Sequence, residues 1–267
     1  RSRDMWKEWW GGNQHLSRAD WLADLANRMG RALAVQESEN AQLRQRLGSS
    51  LRDLYNAAPA ETQDAMLPSL LTDAVADVRL VGLMLAERKV SVGQGLTADG
   101  ANAVEAMLDD GDPRCRRAAS LLYAEIAGAR ADTLLAKLDA ERDPNVRAGL
   151  LLAMGKLKEP AALPAAMNQI RSSDELIAAA AAEAIGRIFE ANSLGIELHA
   201  SASKLLSERY REAVAQTDGA DLREALLTAM GFVGGEQGIA VLESALADPA
   251  AIARLAAVLG LGRLQAA

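Results

Sequence analysis

The sequence has little with which to do covalent chemistry. It holds one cysteine, Cys115, and two histidines, His15 and His199, among 267 residues. A single cysteine excludes an internal disulfide and leans towards a reducing, cytoplasmic compartment. Two isolated histidines, with no HExxH, CxxC or His–Glu pair, supply no metal site, and no catalytic or cofactor-binding residue is assigned. Acidic pairs such as Asp109-Asp110 and Glu141/Asp143 stand where helix ends need caps. Aromatics are only 3% of the chain and β-branched runs are missing, which excludes a strand-built core. Positive charge is also short: a net charge of −7 excludes the basic footprint of a general nucleic-acid binder. No stretch approaches the roughly 18 apolar residues of a membrane span. There is no P-loop or GxGxxG either; "GFVGG" (231–235) reads as a helix end and turn. The chain opens on Arg1, as a processed or excised piece would, so a missing signal segment says little about compartment.

What is present is helix-forming apolar mass. Half of the residues are hydrophobic, chiefly Ala and Leu, and the chain reads as all-α. "DPNVRAGLLLAMGKL" (143–157) is apolar nearly all round, with Gly149 and Gly155 inside it. Its phrasing recurs. Aligned on Arg147, Arg116 stands 31 residues earlier, Ala178 31 later, Arg223 another 45 on and Arg254 31 beyond that, with Arg79 upstream. A fixed period in this range is the mark of a solenoid. Asp112-Pro113, Asp143-Pro144 and Asp248-Pro249, and Asp174 alone, read as N-caps opening each inner helix. A more amphipathic helix precedes each, as in "ADTLLAKLDAE" (131–141). The inner helix is walled by its partner and both neighbours, so it can be apolar on every side.

This pattern resembles the HEAT-repeat family in its short form, of a bacterial type. The resemblance implies an all-α, right-handed α-α superhelix, a HEAT-like α-solenoid. It occupies 57–267 as about six helix pairs, with one unit lengthened around 189–216 and a Gly-rich loop inserted at 89–96. The HEAT-repeat hydroxylases carry repeated His-Glu pairs as iron ligands, which this sequence lacks. Residues 1–56 stand outside the repeat. Trp6, Trp9 and Trp10 share one helical face and read as a plug for the open end of the solenoid, or else as an exposed patch for a partner. Ser17 and Asp20 form a capping box, after which an apolar stripe runs from Leu22 to Leu33 and again from Leu43 to Leu54. One helix of about 35 residues, or two collinear ones, would carry it. It reads first as a lid folded over the repeats and second as a coiled-coil seam for self-association.

The Arg column reads as a set of ties between units rather than as a ligand ladder. Binding then falls to the concave face. Projecting the inner helices gives one column of Met84, Leu121, Leu152, Glu183, Thr228 and Leu259, and a second of Arg88, Glu125, Lys156, Arg187, Phe232 and Arg263. A partly apolar strip beside a mostly basic one suits a protein or peptide partner, such as an amphipathic acidic helix. The expected function is a non-enzymatic binding scaffold, with Met84, Arg88, Leu121, Leu152, Lys156, Arg187, Phe232, Leu259 and Arg263 as partner-binding residues and no cofactor. The alternative is a lyase of the bilin-lyase type built on similar repeats. The last helix, "AIARLAAVLGLGRLQAA", has an inner helix's composition, so a further repeat or a second copy is expected against it.

Overall fold

The computed structural model describes residues 2–15, 17–216 and 219–266. Among them there are fourteen α-helices and no strand. The chain divides into two compact units, Arg1–Ala57 and Ala58–Ala267.

The first unit holds α1 (Ser2–Asn13) and α2 (Arg18–Ala57). The Ser17 hydroxyl accepts from the Asp20 backbone N–H at 3.1 Å and donates to the Asp20 carboxylate at 2.6 Å, so the Ser17 half of the expected capping box forms. From that start, α2 is one uninterrupted helix of 40 residues. Trp6 and Trp9 pack edge to face at 5.1 Å, and the three tryptophans of α1 cluster on one another.

The second unit is an α-solenoid of antiparallel helix pairs. Its outer helices are α3 (Ala60–Leu71), α5 (Ala98–Ala106), α7 (Ala131–Ala140), α9 (Leu163–Gln169), α11 (Ile196–Gln216) and α13 (Glu236–Ser244). Their inner partners are α4 (Ala76–Ser91), α6 (Pro113–Tyr123), α8 (Pro144–Leu157), α10 (Glu175–Ala191), α12 (Ala220–Val233) and α14 (Ala251–Ala266). Each inner helix packs on the next.

Local sequence chemistry starts these helices. The Asp112 carboxylate accepts from Arg114 N–H, Asp143 from Asn145 and Val146, and Asp174 from Leu176 and Ile177. Such a cap contributes about 1 kcal/mol. Asp248 departs from the expectation. The helix begins only at Ala251, and Asp248 lies buried in the preceding turn with its carboxylate on the Ala250 N–H. The reason is register: Asp112 and Asp143 stand four residues before their Arg, but Asp248 stands six before Arg254.

Small residues set the helix spacing. Eight residues after Arg147, Ala178 and Arg223 come Gly155, Gly186 and Gly231; six after Ala178, Arg223 and Arg254 come Ala184, Ala229 and Gly260. The first set lies against the second across each helix crossing. A Cβ on Gly155 would come within 2.8 Å of the Ala184 Cα, on Gly186 within 3.1 Å of the Ala229 Cα, and on Gly231 within 2.6 Å of the Gly260 Cα. Backbones therefore touch, and larger residues fill the space around the crossings.

The lengthened unit resolves into the end of α10, a short connection and the long α11, which buries Ala202, Leu205, Leu206, Tyr210 and Ala213. It is an outer helix that packs. His199 on it is half-buried, not an open surface residue: its Nδ1 lies 2.7 Å from the Val233 carbonyl and its ring stands edge-on to Phe189.

Cys115 is fully buried, and burial pushes its thiol up to about 11. Native protein should label at Cys115 much more slowly than protein in denaturant, measured with a thiol reagent at pH 8. Equal rates would show that α6 opens readily. The unfolded thiol ionises first, so this group leaves stability unchanged below about pH 9 and lowers it as pH rises towards 11.

Candidate binding site

The Arg column is structural. Six residues before Arg79, Arg116, Arg147 and Arg254 stand Asp73, Asp110, Glu141 and Asp248, and each Arg donates to that residue's backbone carbonyl at 2.7–2.9 Å. The rest of the guanidinium reaches forward. Arg79 grips the Asp110 carboxylate through Nε at 2.6 Å and Nη2 at 2.7 Å, and Arg116 grips Glu141 at 2.7 and 3.1 Å. Arg223 Nε lies 3.1 Å from the Asp248 carboxylate. Each acceptor also caps its own turn: Asp110 takes the Asp112 N–H, Glu141 the Asp143 N–H and Asp248 the Ala250 N–H. One carboxylate thus fixes a turn and links two units. The Arg116 guanidinium, first among the causes, holds the Glu141 carboxyl below the usual carboxylate range. That stabilisation is present at neutral pH and is lost as pH falls through the lowered value.

The unit of α9 and α10 breaks this column. Arg147 turns instead to the Gln169 side-chain carbonyl, at 2.9 Å. Ala178 has no side chain with which to continue the chain of ties. A different bond crosses there, from the Gly219 N–H to the Glu175 carboxylate at 2.9 Å.

The two projected columns lie on the outer surface of the inner-helix layer. Met84, Arg88, Leu259 and Arg263 are exposed; Leu121, Leu152, Lys156, Arg187 and Phe232 are half-buried. Arg187, Phe232 and Arg263 converge, with Glu183 and Thr228, on an open groove of about 530 Å³ across α10, α12 and α14. Met84 and Arg88 on α4, Leu121 on α6, and Leu152 and Lys156 on α8 stand on other helices of the layer, and Leu259 on α14 is not among the groove's lining residues. A second cavity of about 470 Å³ opens where the Gly93–Leu96 loop faces Glu125 and Ile126.

The charge of the strip differs from the sequence expectation. Lys156 is ion-paired with Glu125 of the preceding unit, and Arg187 with Glu183 one turn back, at 2.6 Å. The Arg263 guanidinium lies 4.3 Å from the centre of the Phe232 ring. Two of the strip's four cations, Lys156 and Arg187, are thus matched by acids within the layer, so the strip is less basic than its cation column alone. The groove also contains Glu190 and Glu224, which the projection missed. Helical spacing carried one turn back from Thr228 would have found Glu224, and three residues on from Arg187 would have found Glu190. Among the described residues no cluster of three His, Cys, Asp or Glu could hold a metal ion, and no helix is long and apolar enough to cross a membrane.

A stack of helix pairs with this inner layer defines an α-solenoid repeat protein. Within it, residues 131–216 match the family model described as HEAT repeats. No curated protein matches the chain. Among solved structures, it is similar to the complex of CpcE and CpcF of phycocyanin lyase from Nostoc sp. PCC7120. Identity is 23% over 62% of this chain and 65% of that one, with a TM-score of 0.52. The chain thus spans just under two thirds of that relative's length. An engineered protein matches at 15% identity over 76% of this chain and 97% of its own, TM-score 0.49. A designed armadillo repeat protein matches at 14% over 74% and 98%, TM-score 0.47.

Proposed function

We propose that the protein is a binding scaffold whose inner-helix groove receives an amphipathic helix or extended segment of a protein partner. The observation that carries this reading is the groove itself. It has an apolar floor of Ala225, Ala229 and Phe232, edged by Arg187, Arg263, Glu190 and Glu224. Among the described residues, Arg263 lies on the Phe232 ring and Glu224 on the Thr228 hydroxyl, and neither forms an ion pair. The segment that fits therefore brings an acidic side chain to one and a basic side chain to the other. Face-on aromatics and arginines of this kind dominate recognition surfaces.

The test is selection from a displayed random-peptide library against the whole chain, followed by affinity measurements on Phe232→Ala and Arg263→Glu. Enriched peptides should share an acidic and a basic position and lose at least about tenfold in affinity to each variant. Peptides that bind both variants undiminished would overturn the reading. A lyase-type role is the second reading, supported by the fold likeness to the phycocyanin lyase complex. The groove lining of Glu, Arg, Thr, Phe, Ala and Gly contains no cysteine or histidine, which supports binding over covalent transfer. Tight, groove-dependent binding of a free linear tetrapyrrole would reverse that preference.

A further inference from the structure

The long helix α2 presents an apolar stripe along its exposed side. Leu22, Met29, Leu33, Leu43, Leu47 and Leu54 are 42–65% exposed. The buried residues of α2, Gly48 and Tyr55, lie off this stripe. A helix of 40 residues is about 60 Å long. Exposed leucines spaced along such a length are an unusual surface for a chain to leave open to water.

The spacing identifies the cover. In sequence the stripe falls into two blocks around the polar stretch "QESENAQ". The blocks share one heptad phase, because Met29 and Leu43, like Leu33 and Leu47, are 14 residues apart. Since α2 is a single unbroken helix, that phase runs through the polar stretch for about five heptads, beyond the three or four that define a coiled coil. Gln36 and Asn40 occupy the two central seam positions. We propose that α2 pairs, parallel and in register, with α2 of a second copy of this chain.

Charge decides the orientation. In a parallel pair, Glu39 flanks the seam five residues before Arg44 of the other copy, the spacing at which opposite charges meet across the interface, and symmetry makes this contact twice. Asn40 then faces Asn40 and can bond to itself across the seam, the arrangement that fixes register and two-strandedness. An antiparallel pair centred on the same seam would bring Glu37 near Glu37 and Glu39 near Glu39.

The full chain should sediment at twice its monomer mass in the micromolar range. Ser50→Cys, at a seam position, should form an intermolecular disulfide on mild oxidation, because matched seam residues lie within disulfide reach only in the parallel pair. Cys115 is buried and does not compete. The double variant Leu33→Glu, Leu47→Glu should sediment as a monomer with unchanged helical circular dichroism, since both side chains are exposed. A wild-type monomer, as a helix folded over its own repeats would give, overturns the proposal. So does a dimer that survives the double variant, or one in which the Ser50→Cys variant fails to cross-link.

Discussion

Replacing Asp248 with Ala is expected to cost about 3–5 kcal/mol of stability, because it removes one member of a buried ionic contact. The Asp248 side chain is 0% exposed and that of Arg223 9%. Three elements meet at this carboxylate. Tyr210 of α11 donates its hydroxyl to it at 2.7 Å, Arg223 of α12 approaches to 3.1 Å, and the Ala250 N–H in the turn before α14 donates at 2.8 Å. Burial, with the Asp248 bond second, pushes the Tyr210 hydroxyl well above its ordinary value. In an array where each unit leans only on its neighbours, the damage should be local. Exchange of amide hydrogens in α13 and α14 should accelerate before that in α8 and α10. Asp248→Asn keeps one acceptor oxygen, for the Ala250 N–H, and turns an amide N–H towards the Tyr210 hydroxyl oxygen, so it should lose less. If denaturant unfolding moves by under about 1 kcal/mol in Asp248→Ala, the junction is held by apolar packing instead.

The repeat was legible because its signals are local. An Asp–Pro pair, an Arg four residues on and a Gly eight further on are short-range consequences of capping, tying and close approach. Asp248-Pro249 shows the limit: the same dipeptide sits two residues out of phase, and only the Arg register reveals that it is a buried tie and not a cap. The column positions on the inner helices could be projected because one helix phase serves every unit. Their charge could not be read column by column. Lys156 and Glu125 neutralise each other across a unit boundary, and Arg263 lies against Phe232 of the unit before it, so electrostatics depends on neighbours 31 residues away. The Arg147–Gln169 contact was not legible either. It arises because the outer helix α9 is short and delivers Gln169 where the other units deliver an acid from the turn.

Glycine gives the sharpest contrast between what sequence and structure each determine. A helix-interior Gly costs up to about 1 kcal/mol relative to Ala, so a Gly→Ala change should stabilise wherever there is room. Gly262 on α14 has no heavy atom within 4 Å of the added Cβ, and Gly262→Ala should gain up to about 1 kcal/mol. Gly155 on α8 has the same propensity deficit and the opposite surroundings. Its Cβ would lie 2.8 Å from the Ala184 Cα and 3.3 Å from the Ala184 Cβ, so the α8 and α10 backbones must separate. Gly155→Ala should therefore destabilise by about 1–3 kcal/mol despite the propensity gain, the usual cost of overpacking a tight crossing. Partial relief should come from Ala184→Gly in the same chain, which removes the Ala184 Cβ and returns the crossing to one alanine and one glycine, as in the native pair. Thermal unfolding of the three variants is the measurement. If Gly155→Ala stabilises as much as Gly262→Ala, the helices are not in backbone contact and the small residues at these crossings do not set their spacing.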